Sequence, residues 1–307
     1  MREVNLLSVD LNLLMVFDAV MAEGSVSRAA ERLHITQPAV SHSLRRLRQL
    51  LGDRLFLRTP GRMQPTSYAE AIAPRVRAVL REIQSIFNPS QIFDPAASQD
   101  HFSVGMTDYI ASVTLPRLAQ RLREQAPGVR LTALPAFSRG CIELIERGTI
   151  DMYVGAPLPD PPSFVNSAAL AHEGQLCIGR RGHPAFAGGL DMEAFLAHPH
   201  LHISPWGEKG VVDKALEQKG AKRRIAMTIG EFLVAPAIVE ESDMLAVLPR
   251  SLARMQAGRH AIELAELPFD ISETSVTLTW HRRFDGDPAL HWLRDQFAQV
   301  LDPHGEI

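Results

Sequence analysis

The 307-residue chain has 46% hydrophobic and 22% charged residues, an ordinary globular composition whose length predicts two or three domains. No apolar run approaches the roughly 20 residues of a membrane span, and a signal-peptide pattern is absent, so we expect a cytoplasmic protein. Residues 1–90 hold 12 Arg, no Lys and 8 acidic residues, whereas the remainder, with 20 basic and 27 acidic residues, has a net charge of −7. A basic head on an acidic body favours a polyanion-binding N-terminal domain.

A first helix is predicted from residue 11 to about residue 23, and two apolar-periodic segments follow it. These segments span residues 27–33 and 37–51. Ser27 and Thr36 are their predicted N-caps, because a hydroxyl can accept a hydrogen bond from an N–H of the first turn. Two helices joined by so short a turn are typical of a helix-turn-helix.

The helix at residues 37–51 divides into two faces when it is read at about 100° per residue. One face is an apolar stripe that we expect to be buried; it consists of Val40, Leu44, Leu47 and Leu51. The opposite face carries groups that can pair with base edges and phosphates in a major groove. Its members are Pro38, Ser41, His42, Arg45 and Gln49, with Gln37 and Arg48 on one flank and Arg46 on the other. On this helix alone, a solvated face that carries arginine for solubility is an equally good interpretation.

Two short strands are predicted next, at residues 55–57 and 62–64, joined by a Thr-Pro-Gly turn. They form a small wing with Arg58 at its base and Arg62 beyond its tip. An arginine on such a wing can reach the minor groove, where negative potential is concentrated. The wing therefore favours DNA binding over the solvated-face interpretation.

Four blocks between residues 29 and 66 occur in a recognisable order: AAERL, TQPAVSHSLRRLR, GDRLFLR and a closing Pro-Thr. In order and spacing they resemble the winged helix-turn-helix of the LysR-type transcriptional regulators, in particular the branch of nodulation and aromatic-degradation regulators. One departure is Thr36, where Ser is commoner in the family, but a hydroxyl cap is kept. The predicted DNA-binding residues are Ser27, Thr36, Gln37, Pro38, Ser41, His42, Arg45, Arg46, Arg48, Arg58 and Arg62; the resemblance implies that Gln37, Pro38, Ser41, His42 and a wing arginine lie in the grooves.

A long helix is predicted from residue 67 to about residue 87, with Pro74 inside it. Its apolar stripe comprises Ala69, Ile72, Val76, Leu80, Ile83 and Phe87. Packing on its own head accounts for part of this stripe, and an antiparallel copy from a second chain is the simplest partner for the rest. The resemblance implies that this linker helix forms a homodimer, which can pair into a homotetramer. Residues 88–98 are predicted to be a hinge.

From residue 101 onward, strands and helices alternate, which predicts an α/β domain with parallel sheets. Strands are predicted at 102–106, 129–134, 151–156, 176–181, 200–204, 223–229, 244–248 and 275–283, and helices at 113–127, 138–148, 211–220, 231–242, 249–256 and 288–301. Two lobes with a cleft between them match the family's effector-binding domain, which resembles a periplasmic binding protein. The predicted domains are 1–66, 67–90 and 91–307, with lobe I at about 91–162 and 267–307 and lobe II at about 163–266.

Ligands of open α/β sheets lie at the carboxyl ends of strands and near helix N-termini. The residues at these positions combine hydroxyl, imidazole and aromatic groups, which suit a small, partly apolar organic acid as the effector. They are Thr107, Asp108, Tyr109, Phe137, Ser138, His202, Ser204, Trp206, Glu231 and Phe232. We expect about half of them to be caps or core residues, because pockets use few polar groups.

Motifs for catalysis and cofactor binding are absent: there is no nucleophile elbow, phosphate-binding loop or dinucleotide fingerprint. The twelve His residues have no metal-ligand spacing, and Cys141 and Cys177 have no CxxC spacing, so no catalytic residue, metal or cofactor is expected. Two buried thiols are the favoured interpretation of the cysteines, with a redox pair as the alternative.

Three functional hypotheses follow, and the favoured one is a ligand-responsive transcription factor that binds double-stranded operator DNA. The second is a constitutive DNA-binding protein whose C-terminal domain only forms oligomers; a saturable effect of a small molecule on DNA binding separates these two. The third is an enzyme or a transport-type binding protein with a fused head, which predicts turnover or ligand binding without DNA affinity. For the first, ligand closing the cleft is expected to shift the angle between subunits.

Overall fold

The computed structural model describes residues 10–59, 62–87 and 93–301. The chain divides into two units, one built on residues 1–91 and the other on residues 92–145 and 150–307. The elements of the N-terminal unit are α1 (Asn12–Glu23), α2 (Val26–Arg32), α3 (Gln37–Leu51), β1 (Phe56–Thr59), β2 (Arg62–Pro65) and α4 (Ser67–Phe87). The predicted helix-turn-helix, wing and linker helix are all present, with boundaries shifted by one or two residues.

The ends of the first three helices follow from their capping residues. Ser25, not Ser27, is the N-cap of α2, since its Oγ accepts a hydrogen bond from the Arg28 N–H at 3.4 Å. The predicted cap was wrong because α2 begins at Val26, which places Ser27 inside the first turn. Thr36 caps α3 as predicted, accepting from the Ala39 N–H at 3.4 Å. Glycines in the left-handed conformation follow α1 and α3, where other residues are strained.

A single apolar core joins the helices of the N-terminal unit. Its fully buried members include Leu13, Val16, Phe17, Val20, Val40, Leu44, Leu47, Leu55, Ala69 and Ala73. Three of the four residues of the predicted α3 stripe are buried, and Leu51 is only partly so. Leu80 of α4 is partly buried and packs against the same core, whereas Val79 is 45% exposed.

The C-terminal unit contains two five-stranded sheets. In chain order its strands are β3 (His101–Met106), β4 (Arg130–Pro135), β5 (Met152–Gly155), β6 (Val165–Glu173), β7 (Gln175–Arg180), β8 (Pro199–Ile203), β9 (Arg224–Ile229), β10 (Leu245–Pro249), β11 (Ile262–Ala265) and β12 (Thr274–His281). Its helices are α5 (Asp108–Gln125), α6 (Ser138–Glu146), α7 (Met192–Ala197), α8 (Val211–Gln218), α9 (Ala235–Glu240), α10 (Arg250–Ala257) and α11 (Pro288–Leu301). We call the part built on the sheet β4-β3-β5-β12-β6 the first lobe, and the part built on β11-β7-β10-β8-β9 the second lobe.

Both sheets are mixed rather than parallel throughout. In the first, β3 pairs in parallel with β4 and β5, but β12 runs antiparallel to β5 and β6. In the second, β8 pairs in parallel with β9 and β10, and β7 runs antiparallel to β10 and β11. Strand β12 therefore returns to the first lobe.

Two strands, β6 and β11, were not predicted. The β6 sequence VNSAALAHE has a serine and two alanines at its centre, where the strand is exposed, so it lacks the apolar alternation of a half-buried strand. Because β6 pairs with β12, residues 165–173 belong to the first lobe, although the sequence placed residues from about 163 in the second.

One helix, α9, is shorter than predicted. The chain at 231–234 forms turns instead of helix, and the Leu233 N–H donates to the Asp108 carboxylate of the first lobe at 2.8 Å. Helix α5 begins earlier than predicted because the Thr107 hydroxyl caps it by accepting from the Ile110 N–H.

The two cysteines are fully buried in separate clusters, Cys141 in the first lobe and Cys177 in the second. Burial raises the pKa of Cys141 to about 12 and raises that of Cys177 further. Because the thiolate is the reactive form of cysteine, this environment favours the interpretation of two inert thiols.

Candidate DNA-binding surface and effector cleft

The outward face of α3 has the phase that the sequence predicts. Gln37, Pro38, Ser41, His42, Arg45 and Arg46 are exposed, and Val40, Leu44 and Leu47 on the opposite face are buried. Thr36 is exposed just before the helix, and Ser27 is exposed on α2. The polar groups of α3 are therefore available to a groove of DNA without disturbing the core.

The three arginines of α3 have different surroundings. Within the described part of the chain, Arg45 has no ion pair. Arg46 pairs with Asp10 at 3.4 Å, and both side chains are too exposed for the pair to add much stability. Arg48 is half-buried: its Nε donates to the Arg54 carbonyl at 2.7 Å, and a terminal nitrogen donates to the Phe56 carbonyl at 3.5 Å. The expectation that Arg48 points outward to phosphate is thus corrected, because its guanidinium is directed at the base of the wing.

The wing is an antiparallel pair in which Phe56 lies opposite Pro65 and Thr59 lies opposite Arg62. The side chains of Arg58 and Arg62, and the turn at residues 60–61, lie outside the part of the structure that is described. Their predicted approach to the minor groove therefore stays a prediction.

The base of the wing is held by a set of short hydrogen bonds. Asp53 Oδ1 accepts from the Leu55 N–H at 2.6 Å and from the Thr66 hydroxyl at 2.7 Å. The Thr66 N–H in turn donates to the Leu55 carbonyl at 2.9 Å. Leu55 is fully buried and has φ = 60°, an unfavourable conformation for a branched residue that its neighbours must maintain. On the opposite side, the Met63 N–H donates to the Gly24 carbonyl at 2.8 Å.

In the C-terminal unit, aromatic rings from the two lobes meet across one cleft. The ring centroids of Tyr109 and Phe232 are 5.6 Å apart, and those of Phe137 and Trp206 are 5.3 Å apart in an edge-to-face arrangement. The Asp108–Leu233 hydrogen bond crosses between the same lobes. The structure thus brings together five of the ten predicted ligand residues at the carboxyl ends of β3, β4, β8 and β9.

A charged pair that the sequence did not predict lies beside these rings. Arg139, the second residue of α6, pairs with Glu208 of the second lobe, and its guanidinium carbon lies 5.8 Å from the centre of the Trp206 ring. Both charged side chains are largely exposed, and Trp206 is 49% exposed. Arg139 directly follows Ser138, a predicted ligand residue, and this was the only hint in the sequence that it lies at the cleft. An exposed arginine in a helix is too common to be predicted as a ligand residue from the sequence alone.

Several predicted ligand residues already have structural partners. The Tyr109 hydroxyl donates to the buried Glu173 carboxylate at 2.8 Å, and the Ser251 hydroxyl and N–H donate to the same carboxylate. Burial and the neighbouring Glu173 charge raise the pKa of Tyr109, so its hydroxyl remains protonated. Glu173 was missed because its partners lie far away in the sequence.

His202 also has a structural position. It is buried, with Nδ1 3.1 Å from an Arg223 nitrogen and Nε2 2.8 Å from the Glu208 carbonyl. Since arginine can only donate, Nδ1 accepts and Nε2 carries the proton that is donated to the carbonyl. His202 therefore holds the loop that carries Trp206 and Glu208, and is not itself open to a ligand.

The remaining predicted ligand residues differ in whether their polar groups are free to bind a ligand. Ser138 and Ser204 are half-buried, and their hydroxyls have no hydrogen-bond partner among the described residues. Glu231 is exposed, and the Thr107 hydroxyl is occupied as a helix cap. Ligand binding by these residues therefore stays a prediction.

Within residues 10–59, 62–87 and 93–301, no cluster of His, Cys, Asp and Glu could hold a metal ion. Among the helices of the described ranges, none has the length and apolarity to cross a bilayer.

An exposed polar recognition helix with a wing, followed by a two-lobed domain with an aromatic cleft, defines a regulator with a DNA-binding head and a ligand-binding body. Residues 11–70 match the family described as "Bacterial regulatory helix-turn-helix protein, lysR family", and residues 96–302 match "LysR substrate binding domain". The chain belongs to the LysR family of transcriptional regulators. It is a DNA-binding transcriptional regulator with an effector-binding domain, and not an enzyme.

Similar proteins cover nearly the whole chain. The transcriptional activator NagR of Ralstonia sp is 32% identical over 298 residues, covering 97% of this chain and 99% of NagR. Nodulation protein D 3 of Rhizobium leguminosarum bv. phaseoli is 29% identical over 297 residues, covering 95% and 96%. The crystal structure of a probable transcriptional regulator from Pseudomonas aeruginosa superposes with a TM-score of 0.74 at 37% identity, covering 95% and 97%. These matches confirm the predicted family and its branch.

Proposed function

We propose that the protein regulates transcription in the cytoplasm by binding operator DNA as a homodimer or homotetramer, and that an aromatic carboxylic acid bound in the cleft changes this binding. Residues 1–66 read the operator, residues 67–90 pair subunits, and residues 91–307 bind the effector. Recognition helices of two subunits enter major grooves one or more helical turns apart.

The exposed face of α3 supports the DNA-reading role. Gln37 offers an amide that can bond an adenine edge, and Arg45 has no competing ion pair with described residues and can bond guanine or phosphate. Ser41 and His42 are exposed beside them and can add contacts to bases and backbone.

The observation that supports an aromatic acid is the meeting of two ring pairs and one arginine across the cleft. The faces of Phe137 and Trp206 suit a flat apolar ligand, since offset and edge-to-face ring pairs are favourable. The Arg139 guanidinium beside them suits a carboxylate, which it can bind through two parallel hydrogen bonds. Arg139 is paired with the Glu208 carboxylate, so a ligand carboxylate would have to replace Glu208 as the partner of Arg139.

Effector binding then acts by population shift. A ligand that touches both lobes binds the closed cleft more tightly than the open cleft, and so favours the closed form. The change in DNA affinity that it causes cannot exceed this difference in ligand affinity between the closed and open forms. In a dimer, this difference alters how the two recognition helices are presented to the half-sites.

Tryptophan fluorescence tests the ligand assignment. We expect benzoate and hydroxybenzoates to change the emission saturably, and the change to disappear in Trp206→Phe. Arg139→Gln should weaken benzoate binding by about 10- to 100-fold, as for a lost charge-assisted hydrogen bond. Benzyl alcohol, which lacks the carboxylate, should bind equally weakly to both proteins.

The matched control is Arg123→Gln, an exposed arginine at the far end of α5, which should leave benzoate binding unchanged. If Arg139→Gln and Arg123→Gln bind benzoate alike, the cleft arginine does not recognise the effector. If no aromatic acid alters the emission at any concentration, the ligand class is wrong.

A further inference from the structure

In the DNA-binding unit, hydrogen bonds from the Arg48 side chain join α3 to the base of the wing. We propose that Arg48 is a positioning residue that fixes the wing relative to the recognition helix, so that α3 and the wing meet DNA as one rigid element. The inference rests on the proposed operator binding, and it assigns to Arg48 a role different from that of its neighbours on the same helix.

The first argument is geometric. The Arg48 guanidinium donates to the carbonyls of Arg54 and Phe56, which lie on either side of Leu55. Leu55 has φ = 60° and directly precedes β1, which begins at Phe56. A planar fork that holds both flanking carbonyls sets the direction in which the wing leaves α3, and lysine cannot reproduce it because its ammonium is a single point charge.

The second argument concerns what else holds the wing. The Asp53 carboxylate and Thr66 tie Leu55 to the start of α4, and the Gly24 carbonyl ties Met63 to the turn after α1. Of these hydrogen bonds, only those from Arg48 connect the wing to a side chain of the DNA-reading helix. Leu55 and Phe56 stay buried in the core that α3 shares, so loss of Arg48 should leave α4 and the core in place while the strands of the wing lose their fixed direction relative to α3.

The third argument is the contrast with Arg46. It lies two residues away, carries the same charge, and pairs with Asp10 rather than with any wing residue. Arg46→Gln is thus a matched control: it removes one positive charge from the same helix without touching the wing.

A test that needs no DNA is amide hydrogen exchange in the full-length protein. Arg48→Gln should speed exchange in β1 and β2 at least 10-fold, while amides of α4 and of the buried face of α3 exchange as in the wild type. Arg46→Gln should leave the wing unchanged. Unchanged wing exchange in Arg48→Gln, or equal acceleration throughout the head, would overturn the inference, since the latter means that Arg48 only stabilises the fold.

The second test uses the duplex that the wild-type protein selects from a random pool. Hydroxyl-radical footprints of Arg48→Gln and Arg48→Lys should lose protection in the flanking minor groove and keep it over the major groove under α3. The two variants should behave alike, because the fork and not the charge is required. Full protection by Arg48→Lys would mean that Arg48 acts as a charge near phosphate. If the wild type selects no sequence, operator binding itself fails, while the exchange result still decides the coupling.

Discussion

Leu44→Ala should separate the residues that hold the recognition helix from those that read DNA. Leu44 is 2% exposed in the core of the N-terminal unit, with Val40 and Leu47 on the same face of α3. Truncating a buried leucine removes its transfer free energy and leaves a cavity, which together lower stability by about 2–5 kcal/mol. For a domain of this size each kcal/mol shifts the melting temperature by roughly 4–8 °C, so the head should melt at least about 8 °C lower.

The assay is a melting curve for each variant beside a binding-site selection with the same protein, and Gln37→Ala is the comparison. Gln37 is exposed, so Gln37→Ala should keep the melting temperature and lose about 1–3 kcal/mol of discrimination at a single base pair. Leu44→Ala should weaken binding to all sequences alike. The assignment of faces is refuted if Gln37→Ala leaves base preference intact while Leu44→Ala changes it without loss of stability.

Two further predictions concern pH and assembly. Burial lowers the pKa of His200 to about 4 from an ordinary 6.5, so the unfolded chain takes up the proton at a higher pH than the folded protein does. The resulting contribution to the free energy of unfolding is fully present above pH 6.5, and about 3 kcal/mol of it is lost as the pH falls towards 4. His200→Gln should flatten the decline in melting temperature between pH 7 and pH 5, and an unchanged decline would show that other groups cause it. Val79, exposed on α4, should face a second subunit: Val79→Glu should give a smaller sedimentation coefficient, and normal assembly would place the interface elsewhere.

The N-terminal unit could be predicted closely from the sequence because its signals are local. Apolar spacing in α3 gave the correct helical phase, and Thr36 marked the start of the helix. The errors were also local: Ser25 and Ser27 are both plausible caps two residues apart, and only the observed start of α2 distinguishes them. The direction of Arg48 depends on where the wing folds back, which no spacing within α3 encodes.

The cleft was predicted less completely, because its contacts join distant parts of the chain. Arg139 and Glu208 are 69 residues apart, and Tyr109 and Glu173 are 64 residues apart, so neither pair leaves a periodic pattern. Strand ends identified Phe137 and Trp206 as neighbours of a ligand. The Glu173 carboxylate reaches the Tyr109 hydroxyl only through the pairing of distant strands within the first lobe, which the sequence did not predict.

The most direct test of the central claim is the coupling between effector and operator. Operator affinity should be measured by fluorescence anisotropy at zero and at saturating benzoate, with saturation judged from the Trp206 emission. We predict a change of roughly 5- to 150-fold in operator affinity, and thermodynamic reciprocity requires that operator DNA change benzoate affinity by the same factor. Equal operator affinity with the cleft empty and saturated would contradict the account, since the protein would then bind DNA and ligand as two independent functions.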